Sequence, residues 1–292
     1  MTVYIYSNMT RKNAYEVTLN VYDELKKLGI DIIMSEELSE HFSQLNCEFL
    51  PDADGAKKSD IIIAIGGDGT IIYASSFASE FDTPILGINA GRLGFLAGLE
   101  KEELTLLKNL ISKQYSTDSR MMLKVRHYEN DELISEYLCL NDCVVARGLS
   151  FRLCEINVSA NGKFIKDYFA DGLIVATPTG STAYSLSAGG PVVDTSIESL
   201  ILTPICSHSL FSRSMIFEKN TEITITVANP ESCLPVFSCD GKMGITMTAD
   251  TKLRITKAEK TTKLIRIKTD SFTDILTQKL IERHNQEKGI KI

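Results

Sequence analysis

The sequence predicts an α/β plus all-β chain, with a doubly wound parallel domain followed by an antiparallel β domain. Three observations carry this. Ile61-Ile62-Ile63-Ala64-Ile65 is apolar at every position, the pattern of a strand buried on both faces of a parallel sheet. Strand-like and helix-like stretches alternate from residue 1 to about 115, as in parallel strands joined by crossover helices. From about residue 120 the pattern changes to period-2 alternation. Glu222-Ile223-Thr224-Ile225-Thr226-Val227 and Lys263-Leu264-Ile265-Arg266-Ile267-Lys268 show it most cleanly, and it marks sheets with one wet face.

Taken in order, residues 2–7 form the first predicted strand. Ala14, Val17, Val21, Leu25 and Leu28 recur at helical spacing, and Gly29 is a helix stop. Residues 30–34 make a second strand and residues 39–45 a short helix. The apolar run at 61–65 leads into Gly66-Gly67-Asp68-Gly69-Thr70, then a helix carried by Ile71, Ile72, Ala74, Phe77 and Ala78. Residues 84–89 are another buried strand, and a helix over 101–113 closes the domain. In the second domain, strands at 122–128 and 133–140 flank the turn Glu129-Asn130-Asp131. Strands at 153–160 and 163–169 flank Asn161-Gly162, a strong two-residue hairpin signal. Ile275, Leu276, Leu280 and Ile281 give the tail an amphipathic pattern over 272–286, a helix expected to pack back on the first domain. The domains are therefore expected at 1–118 with 270–292, and at 119–269.

Composition narrows the function. A chain of 292 residues with 43% hydrophobic and 24% charged residues is ordinary for a globular protein of one large or two average domains. A net charge of −7 argues against nucleic acid as the main partner. Seven cysteines contain no C-x-x-C pair, and Cys139 and Cys143 lack the partners of a zinc pattern. No metal ligand set is read; free thiols in a reducing cytoplasm are expected. Met1 to Tyr6 reads as a strand start and not as a signal peptide. No apolar run approaches a membrane span, so no membrane partner is expected.

The loop after the 61–65 strand lies at its carboxyl end, where open α/β sheets bind ligands. Its glycines let the backbone approach a ligand, and the following helix offers its positive end to an anion. Asp68 does not suit a plain phosphate cradle. It requires a Mg²⁺ between itself and the phosphate, or a role as proton acceptor. The loop is neither a P-loop nor a G-x-G-x-x-G fingerprint; a tight Asp-Gly turn would account for it without a ligand. A second glycine loop, 89–97, supplies the Asn89 amide and the Arg92 cation, which would offset phosphate charge or sit in a surface turn. Asn141-Asp142 suits a ribose diol or an adenine edge, or a simple turn. In the stretch 171–191, Thr177, Thr179, Ser181 and Thr182 surround Pro178 and Gly180. Gly180 leaves room for close approach, and Tyr184 offers a ring for stacking. Helix capping explains one of these hydroxyls but not the set.

Gly66-Gly67-Asp68-Gly69-Thr70 resembles a signature shared by NAD kinases, diacylglycerol and sphingosine kinases and, more loosely, 6-phosphofructokinases. Residues 171–191 resemble the second NAD kinase signature, D-G-L-x-x-x-T-P-T-G-S-T-A-Y followed by G-G-P. Residues 89–97, 202–210 and 238–241 match further blocks of that family in the same order. The chain is identified on these residues as a member of the NAD kinase family. The resemblance implies a Rossmann-like first domain, a β-sandwich second domain and a last helix returning to the first. It implies transfer of the γ-phosphoryl of ATP to the 2′-hydroxyl of the adenosine ribose of NAD, with Mg²⁺ or another divalent metal, by a homodimer or homotetramer. Asp68 would draw the proton from that hydroxyl. Gly66, Gly67, Gly69, Thr70, Asn89 and Arg92 would surround the phosphates. Asn141 and Asp142 would hold the adenosine, while Gly69, Thr179, Thr182, Ala183, Tyr184 and Ser187 would line the dinucleotide pocket. Asp171 and Tyr184 would act near or across a subunit boundary. Asp142 stands where the family commonly has Glu, and Arg213-Ser214 where it has Arg-Pro. His208 is expected to be structural. A lipid or sugar kinase with the same first signature is an alternative, as is a dinucleotide-binding module without turnover.

Overall fold

Residues 61–66 are buried at all six positions, as an unbroken apolar run requires when both faces of a strand are covered. The computed structural model describes residues 1–91, 94–209, 212–269 and 271–278. Two units separate within it, Met1–Ser119 with Thr262–Ile292, and Arg120–Thr261.

The first unit is built on parallel strands β1 (Thr2–Ser7), β2 (Asp31–Ser35), β3 (Glu48–Leu50), β4 (Ile61–Gly66) and β5 (Ile85–Asn89), in the order β5-β4-β1-β2-β3. Helices α1 (Ala14–Lys27), α2 (Ser39–Phe42), α3 (Asp52–Lys58) and α4 (Asp68–Phe81) join them. α1 buries Val17, Val21 and Leu25, and Gly29 ends it at φ +68°, a conformation that favours glycine. β3 and α3 are too short to show a period in sequence. Gly55 lets α3 sit on β1, since a Cβ there would lie 2.1 Å from the Tyr4 ring.

The helix expected over 101–113 is broken. A two-residue strand β6 (Leu99–Glu100) pairs with β5, then a 3₁₀ turn at Leu104–Leu107 leads into α5 (Lys108–Ile111). The Glu103 carboxylate accepts the Glu100 N–H at 2.8 Å and bonds Lys268 Nζ at 3.0 Å, so residues 101–103 form a turn. Of the predicted tail helix, residues 272–278 are helical. Ser271 and Asp274 cap it reciprocally, Ser271 N–H to Asp274 at 2.9 Å and Asp274 N–H to Ser271 Oγ at 3.2 Å. Residues 279–286 lie outside the described residues.

The second unit is antiparallel. Its strands are β7 (Ser116–Glu129), β8 (Glu132–Cys139), β9 (Asp142–Ala146), β10 (Cys154–Ala160), β11 (Lys163–Ala170), β12 (Gly172–Ala176), β13 (Ser199–Ile205), β14 (Met215–Glu218), β15 (Ile223–Ala228), β16 (Val236–Cys239), β17 (Ile245–Thr246) and β18 (Thr251–Arg266), with the start of β7 and the end of β18 belonging to the first unit. One set runs β11-β10-β15-β18, the other β14-β13-β12-β9-β16-β17. Short helices α6 (Tyr184–Ser187) and α7 (Pro230–Cys233) interrupt them. β10 and β15 alternate buried with half-buried residues, and their inward side chains, Ile156, Val158 and Ile225, share a core with Leu173, Val175, Leu202 and Phe237. Asn161 at φ +51° and Gly162 at φ +73° make the expected hairpin turn. The alternating stretch at 263–268 differs from expectation. Leu264 pairs in parallel with Ile85, and Leu264 and Ile265 are both buried in the first unit. All seven cysteines are free.

Candidate active site

In the first unit, the glycine loop leaves β4 beside the exit of β5, where Ala90 N–H donates to Gly66 O at 3.0 Å. The backbone turns sharply into α4 over the Thr70 side chain. A Cβ on Gly66 would lie 2.1 Å from Thr70 Oγ1, so a side chain there would displace Thr70. That hydroxyl is buried with no hydrogen-bond partner among the described residues. Thr70, expected beside the phosphates, instead fills the space beneath the loop.

Asp68 sits in the wall of a cavity of about 630 Å³ together with Gly66, Gly67, Gly69 and Asn89. Its carboxylate accepts the Phe95 N–H at 2.9 Å and the Leu96 N–H at 3.0 Å. Gly94 permits this approach, since a Cβ there would be 2.1 Å from Asp68 Oδ1. Charge-assisted bonds of this kind fix an orientation strongly. Asn89 is buried, donates to Glu100 at 2.8 Å and accepts the Gly91 N–H at 3.0 Å. Its amide therefore shapes the second loop. Burial pushes the Glu100 carboxyl up despite the Asn89 bond. Arg92 lies outside the described residues. Arg11, Lys12 and Asn13 also line the cavity, and sequence reasoning missed them. Their signal is topological: β1 neighbours β4 in parallel, so the loops after both strands open on one edge.

In the second unit, the Leu140-Asn141-Asp142 loop joins β8 to β9. The Asp240 carboxylate gathers its backbone, accepting N–H groups from Leu140 at 2.6 Å, Asn141 at 2.8 Å and Asp142 at 3.0 Å. Asp240 N–H returns a bond to Asp142 O at 2.9 Å. Burial nonetheless pushes the Asp240 carboxyl up to about 6. Asp142 is pushed up to about 7, chiefly by burial and then by the nearby Asp240 charge. Among the described residues, neither the half-buried Asn141 amide nor the buried Asp142 carboxylate has a side-chain hydrogen bond.

The 177–182 stretch differs from expectation. Thr177 donates its hydroxyl to Leu140 O at 2.6 Å and its N–H to Asn141 O at 2.8 Å. Thr179, which is buried, accepts from Arg120 at 3.3 Å. Ser181 donates to Pro178 O at 2.6 Å, and Thr182 to Thr179 O at 3.2 Å. All four hydroxyls are engaged in building the loop, and Thr179 is turned inward. Gly180 admits the Asn141 backbone; a Cβ there would lie 2.2 Å from Asn141 O. What faces outward is the Tyr184 ring, 47% exposed, and Ser187, with Thr182 and Ala183 half-buried beside them. Asp171 accepts from Arg147 Nε at 2.6 Å. His208 is exposed.

The ATP-NAD kinase N-terminal domain matches residues 3–115, and the ATP-NAD kinase C-terminal domain matches residues 140–267. The chain belongs to the NAD kinase family. An NAD kinase from a Thermoanaerobacter species is 42% identical over 227 residues, covering 77% of this chain and 80% of that protein. One from Natranaerobius thermophilus is 33% identical over 274 residues, covering 94% and 95%. Among solved structures, yeast NADH kinase complexed with NADH is 25% identical with a TM-score of 0.84, covering 94% of this chain and 84% of that one. An Archaeoglobus fulgidus NAD kinase shares the fold at a TM-score of 0.67 and 24% identity, covering 92% and 93%.

Within this family member, Gly66, Gly67, Asp68, Gly69 and Asn89 meet at one cavity. Asn141 and Asp142 share one latched loop, and Thr182, Ala183, Tyr184 and Ser187 share one short turn. Thr70 and Thr179 support those loops from beneath. Asp240 was visible only as part of a matching block; its service to three backbone N–H groups had no sequence signal.

Proposed function

We propose that the chain is an ATP-dependent NAD 2′-kinase. It passes the γ-phosphoryl of ATP to the 2′-hydroxyl of the adenosine ribose of NAD, giving NADP and ADP. The observation that carries this reading is the Asp68 carboxylate, held by two backbone N–H groups in the wall of a glycine-lined cavity. Family membership directs the chemistry to NAD.

In the reaction the bond between the γ-phosphorus and the ADP oxygen breaks, and a bond from O2′ to phosphorus forms. The hydroxyl proton passes to Asp68 as that bond forms, a contribution of about 10²–10⁴-fold. The remainder comes from in-line positioning and charge neutralisation. Mg²⁺ brought with ATP supplies part of that neutralisation. When bound, the metal would have the Asp68 carboxylate in the cavity wall to hold it. Gly67 and Gly69 leave the cavity floor open to the phosphates. Asn141 and Asp142 hold the adenosine, and Tyr184 stacks on a ring of the dinucleotide with Thr182, Ala183 and Ser187 beside it.

Self-association as a homodimer or homotetramer is part of the proposal. Leu149 and Phe151 are 95% and 93% exposed, and Phe164 is also exposed. Such apolar side chains on a protein surface fit a partner copy, and Asp171 and Tyr184 would then act near that boundary. The free thiols suit the cytoplasm; among the described residues no helix is long and apolar enough to cross a membrane.

The test supplies ATP and Mg²⁺ with NAD, NADH, diacylglycerol or fructose 6-phosphate in parallel. NADP or NADPH formation is expected. Phosphorylation of the lipid or the sugar alone, or NAD binding without ATP consumption, would overturn the proposal.

A further inference from the structure

The cavity beside Asp68 has a wall that the family signatures do not include. Arg11 and Lys12, in the connection between β1 and α1, line it along with Gly67 and Asp68. The Arg11 guanidinium lies so close to the loop that a Cβ on Gly67 would be 4.0 Å from Arg11 Nη2. Neither Arg11 nor Lys12 has an ion-pair partner among the described residues. Asp68, the carboxylate in the same wall, is turned to the N–H groups of Phe95 and Leu96. Among the described residues the lining therefore carries two cations against one carboxylate, in a chain whose net charge is −7. A locally positive cleft on an acidic protein concentrates anions.

The connection is fastened at both ends. Asn8 N–H donates to Ile65 O at 3.1 Å, anchoring its start to β4. Asn8 Oδ1 accepts the Thr10 N–H at 3.1 Å and the Thr10 hydroxyl at 2.7 Å, and Arg11 N–H donates to Asn8 O at 3.1 Å. Asn13 Nδ2 donates to Ala90 O at 3.3 Å, anchoring its end beside the β5 exit. The backbones that carry the two cations are thus held between the ends of β4 and β5 before a ligand arrives, which lowers the ordering cost of binding.

We propose that Arg11 and Lys12 form a subsite for the phosphate chain of the donor nucleotide. The inference rests on the kinase reading of the Asp68 cavity. It answers the difficulty that Asp68 creates, since a carboxylate beside a triphosphate repels it unless cations outnumber it. The donor is the better occupant because its three phosphates offer more anionic oxygens than the two of the NAD pyrophosphate, so two cations side by side can each take a phosphate contact of their own.

The test replaces both exposed residues singly and together, as Arg11→Gln and Lys12→Gln, and reads KM for ATP and for NAD separately. Each single change raises KM for ATP by roughly tenfold, the loss of one charge-assisted contact, with KM for NAD within about twofold. Inorganic tripolyphosphate binding, measured by calorimetry, weakens in parallel. An unchanged KM for ATP overturns the assignment. A rise confined to NAD overturns it too and places the cations on the acceptor. If the wild-type chain forms no NADP, the kinase reading fails on its own, and calorimetry still decides the subsite. Tripolyphosphate bound by the wild type and lost in the double variant supports it; no binding by the wild type overturns it.

Discussion

Gly180→Ala should separate the adenosine grip from the rest of the fold. An added Cβ would sit 2.2 Å from Asn141 O, 2.6 Å from its carbonyl carbon and 2.9 Å from its Cα. These atoms are backbone and cannot rotate away. Relief needs a shift of about 1 Å, which would stretch the bond from Thr177 N–H to Asn141 O, now 2.8 Å, to about 3.8 Å, beyond hydrogen-bonding reach. Losing it costs about 1 kcal/mol, and overpacking adds about 1–3 kcal/mol. The expected destabilisation is therefore about 2–4 kcal/mol, read as a lower urea midpoint. A displacement of about 1 Å at Asn141 should also lower kcat/KM for NAD by up to about a hundredfold. Gly69→Ala is the control for stability. No atom lies within 4 Å of its Cβ position, and Gly69 is in α4, where alanine is favoured by about 0.5–1 kcal/mol. A Gly180→Ala variant with the wild-type midpoint and wild-type KM for NAD would refute the close approach.

Other predictions follow from the same contacts. The raised Asp142 and Asp240 carboxyls bind more protons folded than unfolded between about pH 4 and 7, so stability from these groups falls as pH rises through that window. For Asp142 the loss is at most on the order of 4 kcal/mol at 1.36 kcal/mol per unit. Asp142→Asn should raise the urea midpoint at pH 8 and leave it nearly unchanged at pH 4; a lower midpoint at pH 8 would contradict the assigned cause. Asp240→Ala leaves three backbone N–H groups without their acceptor, so a loss of about 3 kcal/mol or more and a weakened affinity for NAD are expected, with Asp240→Asn milder. Gly94→Ala pushes on Asp68 Oδ1 from 2.1 Å, so kcat should drop at least tenfold, a loss of about 1.4 kcal/mol in barrier height, while affinity for NAD stays near wild type by titration.

The parts of the fold that were legible in sequence are those with an unmistakable period or composition. Five apolar residues at 61–65 specify a doubly covered strand, and Asn161-Gly162 between alternating runs specifies a hairpin. β3 and α3 were hidden because three and seven residues cannot display a period. The closing helix failed because Glu103 bonds a backbone N–H and a lysine in place of starting a helix. At the site, Asp68 stood out as a charge in a glycine loop. The hydroxyls from Thr177 to Thr182 could not be sorted, because a hydroxyl that builds a loop and one that binds a ligand look alike in sequence. Arg11 and Lys12 escaped notice because their position depends on β1 lying beside β4, a property of topology and not of local pattern.

The proposed reaction turns on Asp68, which takes the proton of the NAD 2′-hydroxyl as the γ-phosphoryl of ATP is transferred. Its most direct test is NADP formation from ATP, Mg²⁺ and NAD by the wild type and by Asp68→Asn, with NAD affinity measured on both. The wild type should form NADP, and the variant should bind NAD nearly as well while turning over about 10²–10⁴-fold more slowly. Wild-type turnover in Asp68→Asn would contradict the claim.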